Sequence, residues 1–72
     1  MVSSPLAASR AADALRHSPI PALRMLMIEE NDEAVVIRGA VKSYYLKQLA
    51  QEALMPHLDG RLLHNRVAVD RD

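Results

Sequence analysis

The side chains with reactive chemistry in this chain are three histidines and one acidic run. His17, His57 and His64 do not fall at the spacing that sets two metal ligands on one face of a helix. Cysteine is absent, so neither a thiolate metal site nor a cysteine nucleophile is available. These residue types predict a protein that is not an enzyme and that holds no cofactor.

The acidic run consists of Glu29, Glu30, Asp32 and Glu33. Carboxylates attract cations, but this run lacks the ligand spacing and the central glycine of a calcium loop. We therefore interpret it as the charged, solvated tip of a hairpin and predict no metal site.

One further segment could hold a ligand at a turn between a strand and a helix. It runs from Val35 to Glu52, VVIRGAVKSYYLKQLAQE, and changes from an apolar β pattern to a helical pattern at Ser43. A phosphate loop needs more glycines than the single Gly39 of this segment. We interpret Gly39 as a packing glycine at a close approach or a bulge, and Ser43 as the N-cap of the helix.

Length and composition limit the elements that can position these residues. The chain has 72 residues, half of them apolar and none Trp or Phe, which predicts one domain over residues 1–72 with a small core between about residues 5 and 70. Nine basic residues balance nine acidic ones, so no overall basic field would draw the chain to nucleic acid or to a membrane.

The sequence has neither the pattern of a signal peptide nor an apolar run long enough to span a bilayer. The chain as given is therefore expected to be cytoplasmic. If it is part of a longer protein, a periplasmic or membrane-associated location is expected instead.

The first predicted element is a helix. Ser4 and Pro5 are typical of a helix start, and the helix would run to His17. Pro19 and Pro21 disfavour further helix, so this segment is predicted to be a linker that leads into a strand.

A β-hairpin is predicted from the next two apolar runs, residues 23–30 and 34–41, on either side of the acidic tip. Pairing Ile28 with Val35 places the apolar side chains of both strands on one face, whereas a slip of one residue would move them to opposite faces. The predicted core face consists of Leu26, Ile28, Val35, Ile37 and Val41.

A second helix and a third strand complete the predicted fold. The helix would run from Ser43 to Met55, because Pro56 cannot continue it. A turn at Gly60 then leads into a strand over residues 62–69. The order α-β-β-α-β predicts an α+β fold, a two-layer sandwich in which two helices cover one face of a three-stranded mixed sheet.

With only two layers, the second face of the sheet would be open to solvent. Strand alternation predicts that it combines apolar side chains with cations, a composition that is typical of interfaces. The candidate interaction residues are Met25, Met27, Val36, Arg38, Leu62, His64 and Arg66.

The order of elements and the residues themselves resemble the BON domain, a bacterial module of osmotically induced periplasmic proteins, secretin-associated proteins and mechanosensitive channels. The resemblance spans about residues 7 to 70 and rests on the strand ending VVIRGAV, the helix SYYLKQLAQEAL, the Asp59-Gly60 turn and the final strand with HNRVAV. Gly39, Ser43, Gly60 and Asn65 match family positions with structural roles. The chain departs from the family pattern at the hairpin tip and at Arg61, where an aliphatic residue is usual.

The resemblance implies a non-enzymatic module that mediates protein assembly or attaches to phospholipid. We expect a protein partner or self-association through the open face, without a small-molecule substrate. Peripheral attachment to anionic phospholipid is the alternative, although the cations are scattered along the chain. Nucleic-acid binding is a lower alternative, because the open face lacks the aromatic side chains on which bases stack.

The interpretation of the acidic run can be tested with metal ions. Neither calcium nor zinc at millimolar concentration should change the melting temperature, because a ligand that binds only the folded state would raise it. Thermal unfolding followed by circular dichroism, with and without EDTA, measures this. An increase of several degrees with either ion would contradict the interpretation.

Overall fold

Three helices and three strands follow one another along residues 10–71, the part of the chain that the computed structural model describes. A single turn of 3-10 helix, Met55–His57, extends the third helix. The predicted helix start at Ser4 and Pro5 lies outside the described residues. The helices are α1 (Arg10–Arg16), α2 (Pro21–Arg24) and α3 (Tyr44–Leu54), and the strands are β1 (Met27–Glu30), β2 (Ala34–Val41) and β3 (Leu62–Val69).

The strands form one sheet in the order β1-β2-β3. β2 pairs antiparallel with β1 and parallel with β3. The parallel pair requires a crossover, which α3 supplies. The α+β fold with a three-stranded mixed sheet is therefore confirmed.

The hairpin pairs Ile28 with Ile37 and Glu30 with Val35, so the predicted pairing of Ile28 with Val35 is wrong by two residues. The cause is the side chain of Asn31, whose Oδ1 accepts the backbone N–H groups of Glu33 and Ala34 at 2.7 and 2.9 Å. These bonds centre the turn on Asp32 and Glu33, one residue further along the chain than the predicted pairing requires. A shift of two residues preserves the faces of both strands, because side chains alternate with a period of two.

The first strand is shorter than predicted because a helix occupies its expected start. Pro21 begins α2 instead of leading into a strand, in agreement with the preference of proline for the first helical position. Leu23 is buried by this turn of helix, and β1 begins only at Met27.

The core lies between the helices and one face of the sheet. The predicted strand residues Leu26, Val35, Ile37 and Val41 are buried, and Ile28 packs against them. All three helices contribute buried side chains to this same cluster, so they cover one face. Their buried members are Ala11, Leu15, Leu23, Ala50 and Leu54.

Ser43 caps α3 as predicted. Its hydroxyl oxygen accepts the backbone N–H of Leu46 at 3.2 Å, which satisfies a donor that has no partner within the helix. The helical pattern places Tyr45 on the apolar side of α3, yet its side chain is exposed. The side of α3 that packs on the core carries the buried residues Ala50 and Leu54.

Gly39 lies opposite Leu26 across the start of the hairpin and permits the two strands to approach closely. A Cβ atom at this position would lie 2.7 Å from Cδ2 of Leu26. The φ angle of Gly39 is +136°, a region that side chains disfavour. The interpretation of Gly39 as a packing glycine therefore agrees with two independent observations.

The outer edge of β3 is partly closed by Asn65. Leu62 donates its N–H to the carbonyl of Glu33 on the β2 side, so by alternation the N–H of Val67 points to the outer edge. Asn65 Oδ1 accepts this N–H at 3.2 Å, while its Nδ2 donates to the Lys47 carbonyl in α3 at 3.0 Å. Asn65 thus ties the edge strand to the helix and occupies an edge donor that could otherwise pair with another chain.

Arg61 joins the hairpin end of β1 to the 3-10 turn, at one end of the sheet. Its guanidinium group donates to the carbonyls of Leu58 and His57 at 2.8 and 3.0 Å. It also pairs with Glu30 at 2.8 Å, and both side chains are largely shielded from solvent. An aliphatic residue could make none of these bonds, so Arg61 has a structural role at this position.

Replacement of Gly39 by Ala should lower the free energy of unfolding by about 1–3 kcal/mol, because the backbone angle is strained for a side chain and the added Cβ meets Leu26. Chemical denaturation in urea measures the loss. Gly60→Ala is the matched control, since Gly60 also has a positive φ, +84°, but no atom within 4 Å of the added Cβ. An equal loss in both variants would contradict a role for the Leu26 contact.

Replacement of Asn65 by Val should lower the free energy of unfolding by about 1–3 kcal/mol and should also cause association that increases with concentration, because the freed N–H of Val67 lies at an open strand edge. Asn65→Asp separates the two effects: it retains the acceptor for Val67 but loses the donor to Lys47. We expect Asn65→Asp to be less stable but not more associated in sedimentation velocity. Association of both variants to the same extent would argue against edge protection.

Candidate interaction surface

The face of the sheet that turns away from the helices is called the open face below. Cross-strand partners in a sheet share a face, so the observed register defines its rows. One row contains Val36 beside His64, and the next contains Met27, Arg38 and Arg66. The full set is Met27, Glu29, Ala34, Val36, Arg38, Ala40, Leu62, His64, Arg66 and Ala68.

Six of the seven predicted interaction residues therefore lie on one surface. Met25 is the exception. It follows α2 directly and is exposed, but it precedes β1 and has no place in the sheet. Its predicted strand position is wrong for the same reason that β1 is short, namely the helix that begins at Pro21.

Sequence reasoning missed Glu29, which shares the open face with Met27. The alternation of strand residues would have found it, because Ile28 between them faces the core. The small residues Ala34, Ala40 and Ala68 follow from the same rule. Because these side chains are short, the surface of the open face is recessed between its larger side chains.

The apolar part of the open face is fully accessible at two of its positions. Met27 is 68% exposed and Leu62 is 66% exposed, whereas Val36 on the central strand is half-buried between its neighbours. Met27 lies on β1 and Leu62 on β3, in different rows. A ligand that covered both would have to span the whole width of the sheet.

Cations occupy the middle of the open face. Arg38 pairs with Glu29 across the hairpin at 3.3 Å, but both side chains are more than half exposed, so the pair contributes about 0–1 kcal/mol. Arg66 lies beside Arg38 in the register and forms no ion pair with any residue from 10 to 71. Two adjacent guanidinium groups repel each other, which favours binding of a carboxylate or another anion between them.

The charges around the open face are separated along the strand direction. Asp32 and Glu33 form the turn at one end of the sheet. Lys42 follows β2 and Arg71 follows β3 at the other end, where Asp70 partly offsets them. Together with the two arginines of the middle row, this arrangement gives the surface an acidic end and a basic end.

The described side chains that could bind a metal ion do not lie close together. Over residues 10–71, no three His, Asp or Glu side chains form a group that could hold a metal ion. Two of the four carboxylates of the acidic run are engaged elsewhere, since Glu29 pairs with Arg38 and Glu30 with Arg61.

The described helices are too short and too polar to cross a membrane.

Comparison with models of protein families, with curated proteins and with solved structures finds no match to this chain.

Proposed function

We propose that this chain is a non-catalytic interaction module of BON type that assembles with a second copy of itself through the open face. The observation that carries the proposal is an uncovered sheet face on which Met27 and Leu62 are exposed beside Arg38 and Arg66. The order of elements, which resembles that of the BON domain, supports a module that assembles proteins.

Apolar burial supplies the attraction in this proposal. Complete removal of the Met27 or Leu62 side chain from water stabilises a complex by about 1.5–3 kcal/mol each. The arginines supply direction, because burial of their charges is favourable only against carboxylates. The partner must therefore present apolar side chains together with acids.

A second copy meets both requirements. If a two-fold axis runs across the strands, the two sheets stack with their strands antiparallel. The turn at Asp32 and Glu33 of one copy then lies over the end with Lys42 and Arg71 of the other, so that opposite charges face each other. An axis along the strands would instead place the turn at Asp32 and Glu33 over the same turn of the other copy, so that like charges face each other, which is unfavourable.

The size of the open face predicts weak association. Three strands about 4.8 Å apart, with eight residues in the longer strands at about 3.3 Å per residue, give a footprint of about 370 Å² per copy. A stable interface buries about 800 Å² per partner. The contact is thus suited to copies that are tethered or concentrated, where a high effective concentration compensates for a small area.

An anionic membrane is the second candidate for the same face, because an exposed Met beside two arginines is a combination that also suits lipid headgroups. The acids at the hairpin turn oppose it, since they would lie near the same anionic surface. Nucleic acid is disfavoured, because Tyr44 and Tyr45 lie on α3 and not on the open face.

Replacement of Leu62 by Lys should weaken self-association at least tenfold, because it removes buried apolar area and adds a cation to a basic surface. Sedimentation equilibrium between about 10 µM and 1 mM measures this, and the wild-type mass should rise with concentration. Tyr44→Lys is the matched control, since Tyr44 is similarly exposed at 63% but lies on α3. A wild-type chain that stays monomeric over the whole range would overturn the proposal.

Flotation with liposomes separates the membrane candidate from self-association. Vesicles of neutral phosphatidylcholine should retain no protein, and vesicles with added phosphatidylserine should retain none either. Retention only by the anionic vesicles, abolished in Arg38→Glu/Arg66→Glu, would replace self-association by lipid attachment as the function of the open face.

A further inference from the structure

A second surface lies on the helix side of β1. It shares Met27 with the open face, and its other residues lie outside that face. It is a groove of about 270 Å³ between α1 and the start of the hairpin. Its floor is apolar and two arginines flank it. The lining residues are Ala12, Leu15, Arg16, Arg24, Leu26, Met27 and Ile28.

The groove runs beside a strand edge that no strand covers within residues 10–71, because β1 is the outermost strand of the sheet. Asn31 donates its N–H to the carbonyl of Ala34 at 3.0 Å, which marks this as a hydrogen-bonded pair. In an antiparallel ladder such pairs alternate with pairs whose N–H and C=O groups point outward. The register therefore directs the backbone groups of Ile28 toward the free edge, above the groove.

The two arginines of the groove retain unused hydrogen-bond donors. Arg24 donates one bond, from Nη1 to the carbonyl of Ser18 at 2.8 Å, and this bond holds its side chain beside the α1–α2 connection. Arg16 is exposed and, within residues 10–71, neither Arg16 nor Arg24 forms an ion pair. A guanidinium group has five donors, so both can still bind a carboxylate.

We propose that this groove binds an extended acidic segment of a partner protein, which adds as a strand to the edge of β1. Its backbone pairs with Ile28, one apolar side chain enters the groove, and carboxylates two residues before and after that side chain, on the same face of the added strand, lie toward Arg16 and Arg24. Strand addition at a sheet edge, with side-chain pockets beside it, is a recurring mode of peptide recognition. A groove of about 270 Å³ has room for one or two side chains of such a segment.

The test uses the full chain and a fluorescein-labelled heptapeptide with a central Val, one Glu two residues before it, one Glu two residues after it, and Thr at the other four positions, so that Val and both Glu share one face of the added strand. Fluorescence anisotropy should show saturable binding, and a peptide with Lys in place of Glu should bind at least tenfold more weakly. Arg16→Glu/Arg24→Glu should also lose at least tenfold in affinity. The control Arg10→Glu/Arg71→Glu makes the same change of charge outside the groove and should change affinity less than twofold.

Backbone addition is tested with wild-type protein and two N-methylated peptides, one methylated at the Glu and Val amides and one at the Thr amides. Only one set of amides can face β1, because a slip of one residue would turn the Val side chain away from the groove. One peptide should lose at least tenfold and the other should bind as before. Equal affinity of both would overturn strand addition.

Two further outcomes complete the test. Leu62→Lys should leave peptide binding unchanged, since Leu62 lies on the open face, and so this proposal can fail while the self-association proposal stands, or the reverse. If decanoate binds with the same dependence on Arg16 and Arg24 while the peptide does not bind, the groove is a site for an anionic lipid and the proposal is overturned.

Discussion

The structure depends on the burial of one face of β2, the central strand. Val35, Ile37 and Val41 point from it toward α3 and the other helices, and Val67 of β3 extends the same apolar layer. Residues 10–71 form one helical layer over a three-stranded sheet and no second one. The open face is therefore a direct consequence of how the core is made. It lies on the side of the sheet opposite the helices, whereas the groove lies between a helix and the sheet.

The faces of the strands could be predicted from the sequence because alternation depends only on whether the residue number is even or odd. The pairing of individual residues could not, since a shift of two residues leaves every face unchanged and the side-chain bonds of Asn31 decide between the alternatives. Similarly, Ser43 is recognisable as a cap because its bond to Leu46 is local.

Long-range contacts explain the other differences between the predictions and the structure. Pro21 fits a linker and the first turn of a helix equally well, and the burial of Leu23 against distant residues selects the helix. The groove between α1 and β1 could not be predicted either, because its arginines come from two different helices. Most residues of the open face could be predicted from the sequence, because the side chains of each strand alternate between the two faces of the sheet.

The bond between Arg61 and Glu30 connects two loops that are 31 residues apart in the chain. Because the same guanidinium group holds the carbonyls of His57 and Leu58, the hairpin end of β1 cannot separate from the 3-10 turn without leaving several polar groups unpaired. Local opening at this end of the sheet is consequently cooperative, and it involves both loops together.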